Sequence, residues 1–209
     1  MATRLEETVA PETLPKRAPR KVTFEEYLKG ESESGYHEWV DGEIVMLSNP
    51  SLKHQEITSF LTCLWNLYNA KYDLGKIVQA PFTMKLEALN RGREPDIVSK
   101  ERESLFEKNY LAGAADVAVE VVSPGTGRTD RGDKYFEYEV SGVKEYWLID
   151  PERQHAEFYQ LGDDKLYHTM SLAEENIFRS ELIRGFWFRV EWLWNKPNEL
   201  DALRELGVI

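Results

Sequence analysis

The segment at residues 116–122 constrains the fold of this chain more than any other. It reads DVAVEVV, a largely β-branched run that contains one carboxylate in its interior, Glu120. Such a run is typical of a central strand that is covered on both faces. A carboxylate within that strand is costly to bury unless a cation or hydrogen-bond donors accompany it. The segment therefore predicts a buried sheet with a charged group that needs a partner.

Two helices and several strands are predicted around this segment. Apolar residues recur at helical spacing from Ser51 to Leu74, which predicts the main buried helix. A second helix is expected from about Thr129 to Val140, and Gly142 would end it. Strands are predicted at residues 76–86, 95–100, 116–122 and 144–149. The resulting order of helix, three strands, helix and strand predicts an α/β fold with a mixed sheet.

Smaller elements are expected on both sides of this core. Thr23 and Glu26 have the spacing of a capping box, which predicts a short helix. Asp41-Gly42 between two strand-like runs predicts a β-hairpin. Residues 1–20 hold three prolines among charges and are expected to be a flexible tail, with 21–209 forming a single domain. Later in the chain we expect strands at 156–161, 165–171 and 186–190 and a short helix at 198–206.

Composition excludes several classes of protein. The chain has one cysteine, Cys63, so an intrachain disulfide and a zinc site made of cysteines are excluded. No apolar run reaches the roughly 18–20 residues that a membrane helix needs. The N-terminus lacks the apolar core of a signal peptide, so a cytoplasmic location is expected.

The charge of the chain is acidic but unevenly distributed. The net charge of −11 opposes indiscriminate binding to a polyanion. Between Lys76 and Lys134, however, ten basic and ten acidic residues cancel. The middle of the chain is therefore the part that least repels nucleic acid.

Three carboxylates stand out by their context. Asp96 follows Pro95 where a strand is expected to begin, Glu120 lies in the apolar strand, and Glu38 interrupts the first strand of the hairpin. Carboxylates at the ends of neighbouring strands can hold Mg²⁺, which prefers oxygen ligands and keeps several waters. Such an ion polarises a phosphate and lowers the pKa of its own water.

Each of these residues also has a structural interpretation. Pro-Asp is a common loop pair, and Glu120 could form a structural ion pair or lie at a sheet edge. Lys134 follows Asp130 by four positions, which is also the spacing of a surface helix pair. His54, near the start of the long helix, is more often a capping or packing histidine than a ligand. The Gly-rich turn at 123–127 lacks the lysine of a phosphate-binding loop.

Taken together, several segments resemble the Uma-type family of restriction-endonuclease domains in the PD-(D/E)XK nuclease superfamily. The resemblance runs from about Thr23 to Leu161. Its most specific parts are EVVSP and GVKEYWLIDP, at 120–124 and 142–151. Further matching segments are YHEWVDGE at 36–43, the segment 51–57 with its His54, REPDIV at 93–98 and DKYFEY at 133–138.

The resemblance implies a restriction-endonuclease-like fold and Mg²⁺-dependent cleavage of DNA phosphodiesters. It places Asp96 and Glu120 on the metal. The lysine that the superfamily has two residues after this glutamate is replaced here by Val122. In related nucleases this lysine can come from the following helix, and Lys134 is then the candidate.

We therefore interpret the chain as a Mg²⁺-dependent endodeoxyribonuclease, with Mn²⁺ as a substitute ion. Asp96, Glu120 and the carbonyl of Val121 would bind the metal, Glu38 would be a supporting or additional ligand, and Lys134 would orient and activate the water. DNA is the expected partner and a homodimer is expected, because many nucleases cut as dimers. Two alternatives remain: an inactive nuclease fold that serves as an interaction module, and a small-molecule phosphodiesterase or phosphatase.

Overall fold

The computed structural model describes residues 21–30 and 36–209. The tail expected at residues 1–20 lies outside this part of the chain. The α-helices are α1 (Phe24–Leu28), α2 (Leu52–Tyr72), α3 (Gly127–Thr129), α4 (Tyr135–Ser141) and α5 (Glu199–Glu205). The strands are β1 (His37–Val40), β2 (Glu43–Met46), β3 (Lys76–Gln79), β4 (Thr83–Leu86), β5 (Arg91–Arg93), β6 (Ile97–Lys100), β7 (Tyr110–Ala112), β8 (Val117–Val121), β9 (Glu145–Asp150), β10 (His155–Leu161), β11 (Tyr167–Thr169), β12 (Ile177–Arg179) and β13 (Trp187–Arg189).

The main sheet contains both parallel and antiparallel pairs, and β8 is one of its interior strands. Its strand order is β11-β10-β9-β8-β6-β3. Strand β8 runs parallel to β9, with Glu120 opposite Leu148, and antiparallel to β6, with Val119 opposite Ile97. All five residues of β8 are buried. The prediction of a central strand covered on both faces, in a mixed α/β fold, is confirmed.

Helix α2 covers one face of this sheet. The hydroxyl of Ser51 caps it by accepting from the backbone N–H of His54, and Asp73 ends it in the left-handed conformation. Leu61 and Leu64 are fully buried, and the Trp65 ring stacks on Trp147 of β9 at a centroid distance of 5.2 Å. The predicted core helix is confirmed, with its end two residues before Leu74.

The prediction of a single strand at residues 76–86 was wrong. This segment forms two strands, β3 and β4, which belong to different sheets. The chain leaves the main sheet at Ala80-Pro81, where proline has no backbone donor for a ladder. Strand β4 instead pairs with β5 and β7 in a second sheet of order β2-β1-β5-β4-β7.

The second sheet was not predicted beyond its hairpin. The hairpin itself is confirmed, with Asp41 and Gly42 both at positive φ, 52° and 83°. Strand β5 reads RGR, which has no apolar alternation to detect. Gly92 at its centre lies so close to Phe24 that an added Cβ would be 3.0 Å from that ring. A side chain at this position would force Phe24, Thr83 or Trp39 to move by a few tenths of an ångström, so glycine permits the close packing of α1 and the hairpin on β5.

The helix predicted after β8 is present, but it is not regular. Residues Asp130–Lys134 form a π-helical turn between α3 and α4, and Gly142 ends the segment at φ 87°. Such turns occur frequently at functional sites. Strands β10, β11 and β13 and helix α5 also match predicted elements, whereas the short β12 was missed. No helix in the described ranges has the length and apolar character needed to cross a bilayer.

Candidate active site

A cleft of about 400 Å³ opens where the two sheets meet α2 and the π-helical turn. Glu38 reaches it from β1, Asp96 from the residue before β6, Glu120 from β8, and Lys134 from the π-helical turn. These four residues were proposed from the sequence, and the fold brings all of them to one cleft. His54 of α2 lines it as well.

Lys134 lies within the carboxylate cluster. Its Nζ is 2.9 Å from Oε2 of Glu120, 3.0 Å from Oε1 of Glu38 and 3.5 Å from Oδ1 of Asp130. All four side chains are buried, with at most 5% of their surface exposed. The interpretation of Lys134 and Asp130 as a surface helix pair is therefore wrong.

Glu120 is fixed through both of its carboxylate oxygens. The hydroxyl of Tyr138, one turn beyond Lys134, donates to Oε1 at 2.6 Å, while Lys134 donates to Oε2. Burial raises the pKa of Glu120 to about 8, and although Lys134 opposes this rise, the nearby carboxylates of Asp130, Asp96 and Glu38 add to it. Additional positive charge next to Glu120 would therefore stabilise the charged form of its carboxylate.

The same electrostatic balance acts on Lys134 and Glu38. Burial alone would lower the pKa of Lys134, but Glu120, Glu38 and Asp130 hold it well above its usual value. Burial alone would raise the pKa of Glu38, yet Lys134 and Arg93 lower it. The charged forms of Lys134 and Glu38 therefore stabilise each other within the cluster.

Asp96 is held by partners different from those of Glu120. The backbone N–H of Val121 donates to its Oδ2 at 2.7 Å, and Nε2 of His54 lies 3.1 Å from its Oδ1. The next amide, that of Val122, donates to the carbonyl of Ile149 on β9. Because neighbouring residues of a strand point their backbone N–H and C=O groups to opposite edges, those of Val121 point away from β9 and towards Asp96. The Val121 carbonyl proposed as a metal ligand shares that side.

Sequence reasoning did not assign a role to His54. Its side chain is 7% exposed and aimed at Asp96, and its Nδ1 lies 3.5 Å from the hydroxyl of Thr58 one turn later. A usable signal was present, because His54, Ile57 and Leu61 share the buried face of α2 at helical spacing. A histidine on the core side of a helix next to a strand-end aspartate is a candidate partner for that aspartate.

Arg93 is a second residue that the sequence did not single out. Its guanidinium donates to Oε2 of Glu38 at 2.6 Å and binds Glu137 through two further nitrogens, at 2.7 and 2.9 Å. Glu38 is consequently held between Arg93 and Lys134. The two-pronged contact with Glu137 ties β5 of the second sheet to α4, which carries Tyr138.

The donor set fits a hard divalent cation in its chemistry. Among the residues that the structure describes, no three His, Cys, Asp or Glu side chains are already gathered in the arrangement of a metal site. Lys134 supplies positive charge among the carboxylates instead. One oxygen in the cluster lacks a hydrogen bond: Oδ1 of Asp130 is buried and accepts none, and Lys134 is its nearest cation at 3.5 Å. An unsatisfied carboxylate oxygen beside Glu120 is a donor of the kind that Mg²⁺ prefers.

Comparison with known proteins agrees with this architecture. The fold is similar to that in the crystal structure of a "putative nuclease belonging to DUF820" from Anabaena variabilis, with a TM-score of 0.68 and 20% sequence identity. The alignment covers 83% of this chain and 98% of the other. Residues 24–191 match the Uma2 family, described as "Putative restriction endonuclease", and the chain belongs to that family. None of the curated proteins matches the chain.

Proposed function

We propose that this protein is a Mg²⁺-dependent endodeoxyribonuclease, with Mn²⁺ as a substitute ion. The observation that carries the proposal is that Asp96 and Glu120 line one cleft with the Lys134 ammonium 2.9 Å from Glu120. Two strand-end carboxylates can hold the ion that metal-assisted hydrolysis of a phosphodiester uses, and a lysine beside them can stabilise the charge that develops on the phosphate. The membership in a family described as restriction endonucleases supports the choice of DNA as substrate.

Each residue has a defined task in this proposal. Asp96, Glu120 and the carbonyl of Val121 would hold the metal, which when bound supplies Lewis-acid polarisation of the phosphate and an acidified water. Lys134 orients the attacking water and counters the charge that develops on the phosphate oxygens. The water oxygen forms a new bond to phosphorus and gives up one proton to solvent, one ester P–O bond breaks, and the departing alkoxide takes up one proton from solvent. Glu38 and Arg93 keep Lys134 and the cluster in place.

The remaining parts of the proposal concern partners and location. We also propose a cytoplasmic location, where the protein would meet DNA. With a net charge of −11, the chain would bind DNA through the metal rather than through a broad basic surface. We further propose a homodimer, in which two copies cut the two strands of a duplex.

A plasmid-nicking assay tests the nuclease proposal. Wild-type protein should convert supercoiled DNA to nicked DNA with Mg²⁺ or Mn²⁺ and not with EDTA. Asp96→Asn should abolish nicking and weaken Mg²⁺ binding in calorimetry. Asp163→Asn, at an exposed position away from the cleft, is the matched control and should behave as wild type. Cleavage that persists in EDTA would contradict the metal dependence.

One observation favours a second candidate function. Lys134 already neutralises part of the carboxylate cluster without a metal. A nuclease fold that has lost hydrolysis and serves as an interaction module could be held together in this way. Absence of nicking with any divalent ion, together with absence of Mg²⁺ binding, would favour this candidate. Hydrolysis of small phosphodiesters but not of plasmid DNA would instead indicate a small-molecule phosphodiesterase.

A further inference from the structure

One wall of the cleft is apolar and begins directly beside Glu38. Glu38 of β1 lies opposite Val45 of β2, and the Tyr36 carbonyl accepts a hydrogen bond from the Leu47 amide. Since strand side chains alternate and opposite residues share a face, Tyr36, Glu38, Val45 and Leu47 project from the same face of the hairpin. All four line the cleft.

This wall is accessible, in contrast to the carboxylate cluster. Tyr36 is 37% exposed and Val45 is 39% exposed, whereas Glu38 is 1% exposed. Pro50 and Pro124 add apolar surface to the lining of the same cleft. The hairpin thus presents an aromatic ring and aliphatic side chains at the mouth, with the charged groups at the base.

The cationic side chains that line the cleft already form ion pairs with carboxylates. Among the described residues that line it, the lysine and arginine side chains are those of Lys134 and Arg93. Lys134 contacts Glu38, Glu120 and Asp130, and Arg93 contacts Glu38 and Glu137. Binding of a duplex through many phosphates needs free cations. The cleft offers apolar contact surface instead.

We propose that the wall of Tyr36, Val45 and Leu47 binds the base of an unpaired deoxynucleotide whose phosphate lies at the carboxylate cluster. The substrate class is then single-stranded or locally unpaired DNA. A base in a duplex is stacked and paired, so it reaches such a wall only after extrusion. Stacking on an aromatic side chain tolerates any base and needs no positive charge. A cleft of about 400 Å³ falls within the usual size of small-molecule sites.

This inference rests on the proposed nuclease function, but binding tests it separately from cleavage. Fluorescence anisotropy with Ca²⁺ would compare three labelled oligonucleotides of one length: a single strand, the same strand with abasic sites, and its duplex. We expect the single strand to bind about tenfold or more tighter than the other two, on the scale of one base stacked on an aromatic ring. Equal affinity for the abasic strand would overturn the proposal, as would preference for the duplex.

Single substitutions test whether the wall of Tyr36, Val45 and Leu47 causes this preference for the single strand. Tyr36→Ala should reduce single-strand affinity about tenfold, and Tyr36→Phe should retain it because the ring remains. Tyr72→Ala is the matched control, since Tyr72 is also exposed but lies at the far end of α2, roughly 27 Å along the helix from His54. Loss of affinity in Tyr72→Ala equal to that in Tyr36→Ala would overturn the assignment. Base-dependent binding without cleavage in Mg²⁺ or Mn²⁺ would support the wall while refuting the nuclease proposal.

Discussion

The Nζ of Lys134 lies 2.9 Å from Oε2 of Glu120, although the two residues are 14 positions apart and lie in different elements. Val122 stands at the position, two residues after Glu120, where the superfamily has a lysine. The contact shows that Lys134, 12 positions beyond Val122 in the following helical segment, places an ammonium group beside Glu120 instead. The π-helical turn places Asp130 beside it, so the ammonium is surrounded by three carboxylates.

Replacing Lys134 should affect both cleavage and stability. Lys134→Ala should slow DNA nicking by about 100-fold or more, the usual scale for removing one group that stabilises the charge developing in the transition state. Because Glu120 and Asp130 would remain buried without the Lys134 ammonium, and Glu38 would keep only Arg93, the free energy of unfolding in EDTA should fall by about 3–5 kcal/mol. Urea unfolding and single-turnover nicking measure the two effects. Lys165→Ala, at an exposed turn, is the control, and wild-type nicking by Lys134→Ala would refute the assigned role.

His54 should act on metal binding through Asp96. His54→Ala removes the group 3.1 Å from Oδ1 of Asp96 while leaving the Val121 amide on Oδ2. Loss of a hydrogen-bond partner of a metal ligand typically lowers metal affinity about 10–100-fold. Titration calorimetry with Mn²⁺ would measure this change. Thr62→Ala, also on α2, is the comparison. If His54→Ala lowers stability but leaves Mn²⁺ affinity unchanged, His54 is a packing residue only.

The stability of the fold should depend strongly on the buried face of α2. Leu61 and Leu64 are fully buried against the main sheet, so Leu61→Ala or Leu64→Ala should cost about 2–5 kcal/mol. Leu67→Ala on the same helix is the matched control, because Leu67 is 44% exposed. Urea denaturation measures all three. A loss below about 1 kcal/mol at both buried positions would place α2 outside the cooperative core.

Asp116 should make the protein sensitive to acid. Its carboxylate accepts from the Glu101 amide and contacts Lys100 and Lys144. Burial alone would raise the pKa of Asp116, but these partners lower it below 3.8. The folded state then binds fewer protons than the unfolded state, so this stabilisation is present above pH 3.8 and is lost as pH falls below it.

Replacement by an amide tests this linkage. Asp116→Asn should lower the free energy of unfolding by about 1–3 kcal/mol at pH 7 and by less at pH 3, because the wild-type group is then becoming protonated. Urea unfolding at pH 7, 4 and 3 gives the difference, and Asp163→Asn controls for the loss of one surface charge. A deficit that stays constant across this range would show that the pKa of Asp116 is not lowered.

The sequence by itself determined the elements whose signals are local. Apolar periodicity defined α2, the β-branched run defined β8, and Asp41-Gly42 defined the first hairpin, because each pattern reflects the geometry of its own segment. Sequence context singled out Asp96, Glu120 and Glu38, and family resemblance then added Lys134. Nothing in these patterns measures distances between segments, so their grouping remained an expectation.

Only the tertiary structure decided which side chains meet. The pairing of His54 with Asp96, the placement of Arg93 between Glu38 and Glu137, and the division of residues 76–86 between two sheets all depend on contacts between distant segments. Such contacts follow from strand register and from the packing of α2 and the π-helical turn on the sheets. These are properties of the whole fold, because one residue of register changes the face on which every side chain of a strand lies.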